Sequence, residues 1–221
     1  MLDAVIFDVD GTLVDSVDFH AEAWQKAFAH FGREVDIRAV RSQIGKGGDQ
    51  LMPVFLSEGE VKRQGKAIEA YRKTLFEREY IERVKGFPHV RSLFLRLRDD
   101  GKRLALASSA KGDELEAYKK AAGIEDFDLA ETSSDDAEKS KPHPDIFQAA
   151  LDRLGSPAKN CVVVGDSPYD AEAAFKAGLR TTGVLCGGFP DFDLRAAGAS
   201  HIFEDPADIL DHYKRWVEEL G

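Results

Sequence analysis

The chain has 221 residues, of which 43% are hydrophobic and 10% aromatic, the make-up of an ordinary folded protein with a sizeable core. Against 30 basic residues stand 40 acidic ones, a net charge of −10, which excludes nucleic acid or an anionic membrane as the natural partner because both demand a basic surface. No apolar stretch approaches the ~18 residues of a membrane span, and Cys161 and Cys186 form no CxxC pair. With no secretory layout at the N-terminus, the expectation is a cytoplasmic protein with reduced thiols.

The first element is Ala4–Phe7, a short apolar run that reads as a strand buried on both faces. Asp8 and Asp10 follow it two residues apart, so on a strand both point to one side. Gly11 then permits a tight turn. Buried carboxylates without a partner are costly, so the pair asks for a cation. An isolated pair of this kind is equally the mark of a solvated turn.

Between Asp15 and about Lys85 no strand pattern occurs. Residues 18–32 form an amphipathic helix whose stripe is Phe19, Ala23, Trp24, Ala27, Phe28 and Phe31, stopped by Gly32. Residues 57–80 open with a capping box of Ser57 and Glu60. Between them, "IGKGGDQL" at 44–51 is a glycine-rich turn without the form of a P-loop. A helical insertion at the ligand end of a sheet is suited to act as a lid.

Strands resume at Leu104–Ala107, followed by Ser108 and Ser109, where a hydroxyl and free backbone N–H groups can hold an anion or simply cap a helix. A weaker strand is expected at Asp128–Ala130. Lys141 stands just before a helix with Pro144 at its first position and Gly155 past its end. Such a lysine can supply the positive charge that a transferring phosphoryl group needs. Cys161–Val164 is a further strand, and Asp166 after it repeats the placement of Asp8. Asp170 falls in the first turn of the helix opened by Ser167 and Pro168 and closed by Gly178, where S-x-x-D is also a capping pattern. Thr181–Leu185 completes the set. The alternation specifies an α/β fold, a doubly wound parallel-sheet (Rossmann-like) core with an inserted α-helical cap, ligands binding at the carboxyl ends of the strands. The domains are expected at 1–15 with 86–221 (core) and 16–85 (cap). Carboxylates brought together there raise one another's pKa unless a cation sits among them, and an oxygen-only site with room for water and a phosphate suits Mg²⁺.

In this order, "DVDGT", Ser108, Lys141 in "KPHPDIF" and "GDSPYD" resemble the four motifs of the haloacid dehalogenase-like hydrolase superfamily, in the branch with a helical cap between the first two. Phosphoglycolate phosphatase-like and β-phosphoglucomutase-like proteins belong to that branch. The resemblance implies a phosphatase acting on a small-molecule phosphate ester, with Asp8 as nucleophile and Asp10 as acid and then base. It also implies Ser108 and Lys141 on the phosphoryl oxygens. Mg²⁺ is then held by the Asp8 and Asp166 carboxylates and the Asp10 backbone carbonyl, with Asp170 just behind.

In the cap, His20 and Trp24 lie one turn apart, and His20, Lys46, Ser109 and Lys111 are the candidate substrate contacts, with Gln50 as an alternative to Lys46. Mutases of the branch it resembles carry an arginine in the corresponding cap loop; the loop 44–51 has Lys46 and no arginine, so the resemblance implies a hydrolase, with a β-phosphoglucomutase-like mutase as the alternative. A receiver-type module that accepts phosphate without turnover is the reading from another class, but such modules run to about 120 residues in one compact unit. A monomer is expected, with a homodimer as the alternative.

Overall fold

The computed structural model describes residues 1–110 and 112–221. Strand β1 (Ala4–Phe7) is followed by β2 (Val14–Asp15), then by helices α1 (Val17–His30), α2 (Ile37–Arg41), α3 (Gly48–Phe55) and α4 (Glu58–Glu79). Next come β3 (Lys85–Gly86), α5 (Val90–Asp99), β4 (Arg103–Ala107), α6 (Asp113–Ala122), β5 (Ala130–Thr132) and α7 (Asp145–Leu154). The chain ends with β6 (Cys161–Gly165), α8 (Pro168–Lys176), β7 (Arg180–Val184), α9 (Asp191–Ala196), β8 (Ala199–Phe203), α10 (Pro206–Asp211) and α11 (Tyr213–Leu220). None of the described helices is long and apolar enough to cross a membrane.

Six strands form one parallel sheet in the order β5-β4-β1-β6-β7-β8. Strand β1 is central because its four residues are apolar on both faces. Val5 and Phe7 join Leu104, Leu106, Val162 and Val164 in one core layer, while Ala4 and Ile6 join Ala105, Ala107 and Val163 in the layer opposite. This is the two-residue period of a strand, expressed as two cores.

A third core belongs to the insertion: Val17, Trp24, Phe28, Val40, Leu51, Met52 and Ile68 pack together. The stripe expected on α1 is buried at Ala23, Trp24, Ala27 and Phe28, with Phe19 and Phe31 half-buried at its margins. Gly32, at φ +81°, ends it. Ser57 and Glu60 form the capping box that starts α4.

Three expectations shift. The strand expected at Asp128–Ala130 is β5, two residues later, because Thr132 rather than an apolar run completes the pairing, its buried hydroxyl donating to the Leu106 and Ile146 carbonyls. Pro144 caps α7 instead of opening it. Strands β2 and β3, an antiparallel pair of two residues each where the chain enters and leaves the insertion, are too short for any periodic signal.

Candidate active site

Strands β4, β1 and β6 are neighbours, so the segments leaving their carboxyl ends converge. Asp8 follows β1 directly, Ser108 follows β4, and Asp166 follows β6. All three are buried, as are Lys141 and Asp170. Lys141 Nζ is the hub. It lies 2.5 Å from Asp8 Oδ1 and 2.8 Å from Asp170 Oδ1, and donates to the Ala107 carbonyl at 3.2 Å. Thr12 donates its hydroxyl to Asp8 Oδ2 at 3.1 Å and reaches Asp166 Oδ1 at 3.5 Å.

Asp170 serves twice. Its Oδ2 accepts from the Ser167 amide and hydroxyl and completes the capping box of α8. Its buried Oδ1 forms an ion pair with the Lys141 ammonium. The capping role and the site role expected for this residue are one arrangement.

Backbone shape makes room for Asp166. Gly11 turns at φ +81°, and a Cβ there or at Gly187 would overlap Asp166 Oδ2. One carboxylate oxygen from each of Asp8, Asp166 and Asp170 lies within 4.8 Å of the others. Three carboxylates face one buried ammonium, which leaves excess negative charge out of water. Burial, followed by the charges of Asp170 and Asp10, pushes Asp8 up to about 7 despite Lys141. Burial and the neighbouring Asp8 and Asp170 charges push Asp166 well above the usual carboxylate range. Lys141 goes the other way: burial opposes its charge, but Asp170 and Asp8 outweigh burial and raise its pKa. An oxygen-only donor set with uncompensated charge fits a hard divalent cation.

Asp10 is held apart from this cluster. Its Oδ1 accepts from Ser16 Oγ at 2.5 Å and from His20 Nε2 at 2.8 Å. Burial works to raise its pKa, yet the His20 charge and the His20 and Ser16 hydrogen bonds prevail and lower it. His20 itself stacks on Phe76 at 4.1 Å, and its Nε2 is also 3.0 Å from the Tyr118 hydroxyl. His20, expected as a substrate contact, lines the cavity above Asp8 and Asp10 while its Nε2 is engaged by the Asp10 carboxylate.

A cavity of about 660 Å³ opens above Asp8 and Asp10, between α4, the 44–48 loop and the segments after β4 and β5. Lys46, Ser109 and Lys141 line it. Ser108 lies fully buried beneath, its Oγ accepting from the Ala110 amide at 3.0 Å. Gln50 is not among the lining residues and donates to Asp49. Lys111 lies outside the described residues.

Sequence reading missed Arg72, Glu114 and Tyr118. Arg72 lines the cavity from α4, 3.9 Å from Glu114 Oε1 and 3.5 Å from His20 Nδ1. Tyr118 donates to Glu114 Oε1 at 3.0 Å. Only the packing of α4 and α6 around His20 reveals them. Thr12 was within reach, since it closes the quoted "DVDGT".

The model of the haloacid dehalogenase-like hydrolase family matches residues 5–184. The chain belongs to that family. Among similar curated proteins, a putative pyrophosphatase, PpaX, from Clostridium perfringens is 30% identical over 96% of this hydrolase and 97% of its own length. A phosphoglycolate phosphatase from Yersinia pestis is 31% identical over 83% of this chain and 81% of its own. The chloroplastic protein SUPPRESSOR OF QUENCHING 1 of Arabidopsis thaliana is 34% identical over 93% of this chain, which spans only 20% of that longer protein. A hydrolase from Pseudomonas syringae has the same fold, with a TM-score of 0.90 and 28% identity, covering 96% of this chain and 98% of that one. The hydrolase described here is thus a phosphatase of the haloacid dehalogenase-like family, with a Rossmann-like α/β core.

Proposed function

We propose that this phosphatase hydrolyses a small-molecule phosphomonoester, of the sugar-phosphate or phosphoglycolate kind, through a phosphoryl group carried transiently on Asp8, with Mg²⁺ as cofactor. The observation that carries the reading is the buried set Asp8, Asp166, Asp170 and Lys141, with Asp10 two residues on and separately held. Residues 16–85 act as the cap, and residues 1–15 with 86–221 as the catalytic core, in a monomeric cytoplasmic enzyme.

An Asp8 carboxylate oxygen attacks phosphorus as the ester P–O bond breaks, and the leaving oxygen takes its proton from Asp10. Water then attacks the aspartyl-phosphate. Asp10, now a carboxylate, accepts the water proton, and the bond from phosphorus to Asp8 breaks to release phosphate. The hydrogen bonds that lower Asp10 favour its carboxylate form and so suit this second half. His20 and Ser16 fix the orientation of Asp10 in both halves. Lys141, Ser108 and Ser109 hold the phosphoryl oxygens, and Lys46 faces the remainder of the substrate from the cap. Asp8, Asp166 and the Asp10 backbone carbonyl would hold Mg²⁺, with Asp170 supporting them. The bound ion supplies positive charge against the phosphoryl oxygens and the carboxylate cluster.

The test is phosphate release from a panel of phosphomonoesters (phosphoglycolate, hexose 6-phosphates, β-glucose 1-phosphate and nucleotides) with Mg²⁺ and with EDTA. Metal-dependent release from one compound well above the others supports the reading. Conversion of β-glucose 1-phosphate to the 6-phosphate without release would replace it with a mutase. A phosphorylated protein that never releases phosphate would replace it with a receiver-like module.

A further inference from the structure

Asp10 is held through one oxygen. Ser16 Oγ and His20 Nε2 lie 2.5 and 2.8 Å from its Oδ1, which leaves Oδ2 to exchange the proton. A carboxylate only accepts, so His20 must present an N–H to hold it. A neutral imidazole carries a single hydrogen, on Nε2 or on Nδ1, and only the first gives Asp10 a donor. The groups that select between the two come largely from α6, which packs against β2 and β3 where the chain enters and leaves the insertion.

Tyr118 of α6 meets the His20 ring edge-on, with centroids 6.4 Å apart and planes at 89°. Its hydroxyl oxygen lies 3.0 Å from His20 Nε2 and 3.0 Å from Glu114 Oε1. His20, Glu114 and Tyr118 are all buried. A phenol has one hydrogen to give, and Glu114, with Arg72 3.9 Å away as its counter-charge, accepts it. The Tyr118 oxygen therefore turns a lone pair toward Nε2. Burial, then the charges of Asp10 and Glu114, hold the Tyr118 pKa well above its usual value, so the hydroxyl keeps its hydrogen. Arg72 acts on the other nitrogen: a guanidinium only donates, and it stands 3.5 Å from Nδ1. Both neighbours thus favour a hydrogen on Nε2 and a lone pair on Nδ1.

We propose that Glu114 and Tyr118 are positioning residues for the proton carrier. Glu114 takes the Tyr118 hydrogen, Tyr118 thereby confines the hydrogen of neutral His20 to Nε2, and that N–H holds Asp10 Oδ1 so that Oδ2 meets the leaving oxygen. The catalytic part rests on the phosphatase reading of the Asp8 site.

Nuclear magnetic resonance of ¹⁵N-histidine-labelled enzyme, with Mg²⁺ at pH 8, tests this, the His20 signals being those absent from His20→Gln. The wild type carries its hydrogen on Nε2. Glu114→Leu frees the Tyr118 hydroxyl to donate to Nε2 and moves hydrogen to Nδ1 in a measurable fraction. Glu114→Leu/Tyr118→Phe removes that competing donor and restores the wild-type signal. Activity follows the same order. With phenyl phosphate, whose leaving oxygen needs a proton, Glu114→Leu lowers kcat/KM about tenfold or more. With p-nitrophenyl phosphate, a far better leaving group, the fall is about threefold or less. The double variant recovers most of the loss, which a merely structural role for Glu114 does not allow. Hydrogen on Nδ1 in the wild type overturns the proposal whether or not a variant folds. An unchanged His20 in Glu114→Leu, or a double variant as impaired as Glu114→Leu, also overturns it. A wild type with hydrogen on Nε2 that turns over neither ester upholds the hold on Asp10 and refutes the phosphatase.

Discussion

Asp8 and Asp10 are two residues apart and chemically alike, yet their surroundings drive them in opposite directions. Burial and two neighbouring carboxylates raise Asp8, whereas His20 and Ser16 overcome burial to lower Asp10. In the proposed mechanism Asp8 attacks as its carboxylate, the form that Lys141 and a bound divalent cation favour against burial, while His20 and Ser16 hold Asp10 in place for proton exchange. Replacing Asp10 with Asn removes the proton carrier and lowers kcat by about 10²–10⁴-fold, with an unchanged circular dichroism spectrum. Gly187→Ala places a methyl against Asp166 Oδ2, so the Mg²⁺ concentration for half-maximal activity rises by about 10–100-fold. At this scale, Asp8, Asp10, Lys141 and Asp166 were legible because each stands beside a strand or helix boundary that short-range pattern reveals. Arg72, Glu114 and Tyr118 were not, because a residue in the middle of a helix is assigned to a site only by what packs against it.

Among the elements, the central strands were legible for a physical reason: Ala4–Phe7 and Cys161–Gly165 are apolar on both faces and bounded by polar turns. Strand β8 escaped because it lies at the sheet edge and is half-exposed, so Ala199–Phe203 lacks the continuous apolar run. The paired residues of β2 and β3 carry no periodicity at all. Helix α4 was legible through its start, where Ser57 and Glu60 satisfy each other's backbone. Ser57→Ala removes that box and costs about 0.5–2 kcal/mol, read as a lower urea midpoint with kcat unchanged, since Ser57 lies outside the cavity. Ile6→Ala, in the middle of β1 and fully buried, costs about 2–5 kcal/mol by leaving a void under the sheet.

For the molecule as a whole, the raised carboxyls couple stability to pH and to metal. A group whose folded pKa lies above its unfolded one contributes stability that is complete below the unfolded pKa and is lost as pH rises through the folded value. Asp8, at about 7, and Asp166, higher than usual, are of this kind. Without the ion, the Asp8 contribution is therefore lost between about pH 4 and 7, and that of Asp166 is lost in the same direction. A bound cation favours the charged forms, so Mg²⁺ raises Tm more at pH 8 than at pH 6, and a thermal scan at the two pH values with and without the ion checks the sign.

The central claim is that Asp8 itself carries the phosphoryl group. Acid quenching during turnover of the best substrate, followed by mass spectrometry of the peptides, tests it directly. The account predicts a single added phosphoryl group on the peptide containing Asp8, absent in Asp8→Asn, which is folded and inactive. Full turnover with no phosphorylated peptide, phosphorylation of another residue, or an active Asp8→Asn enzyme would contradict it.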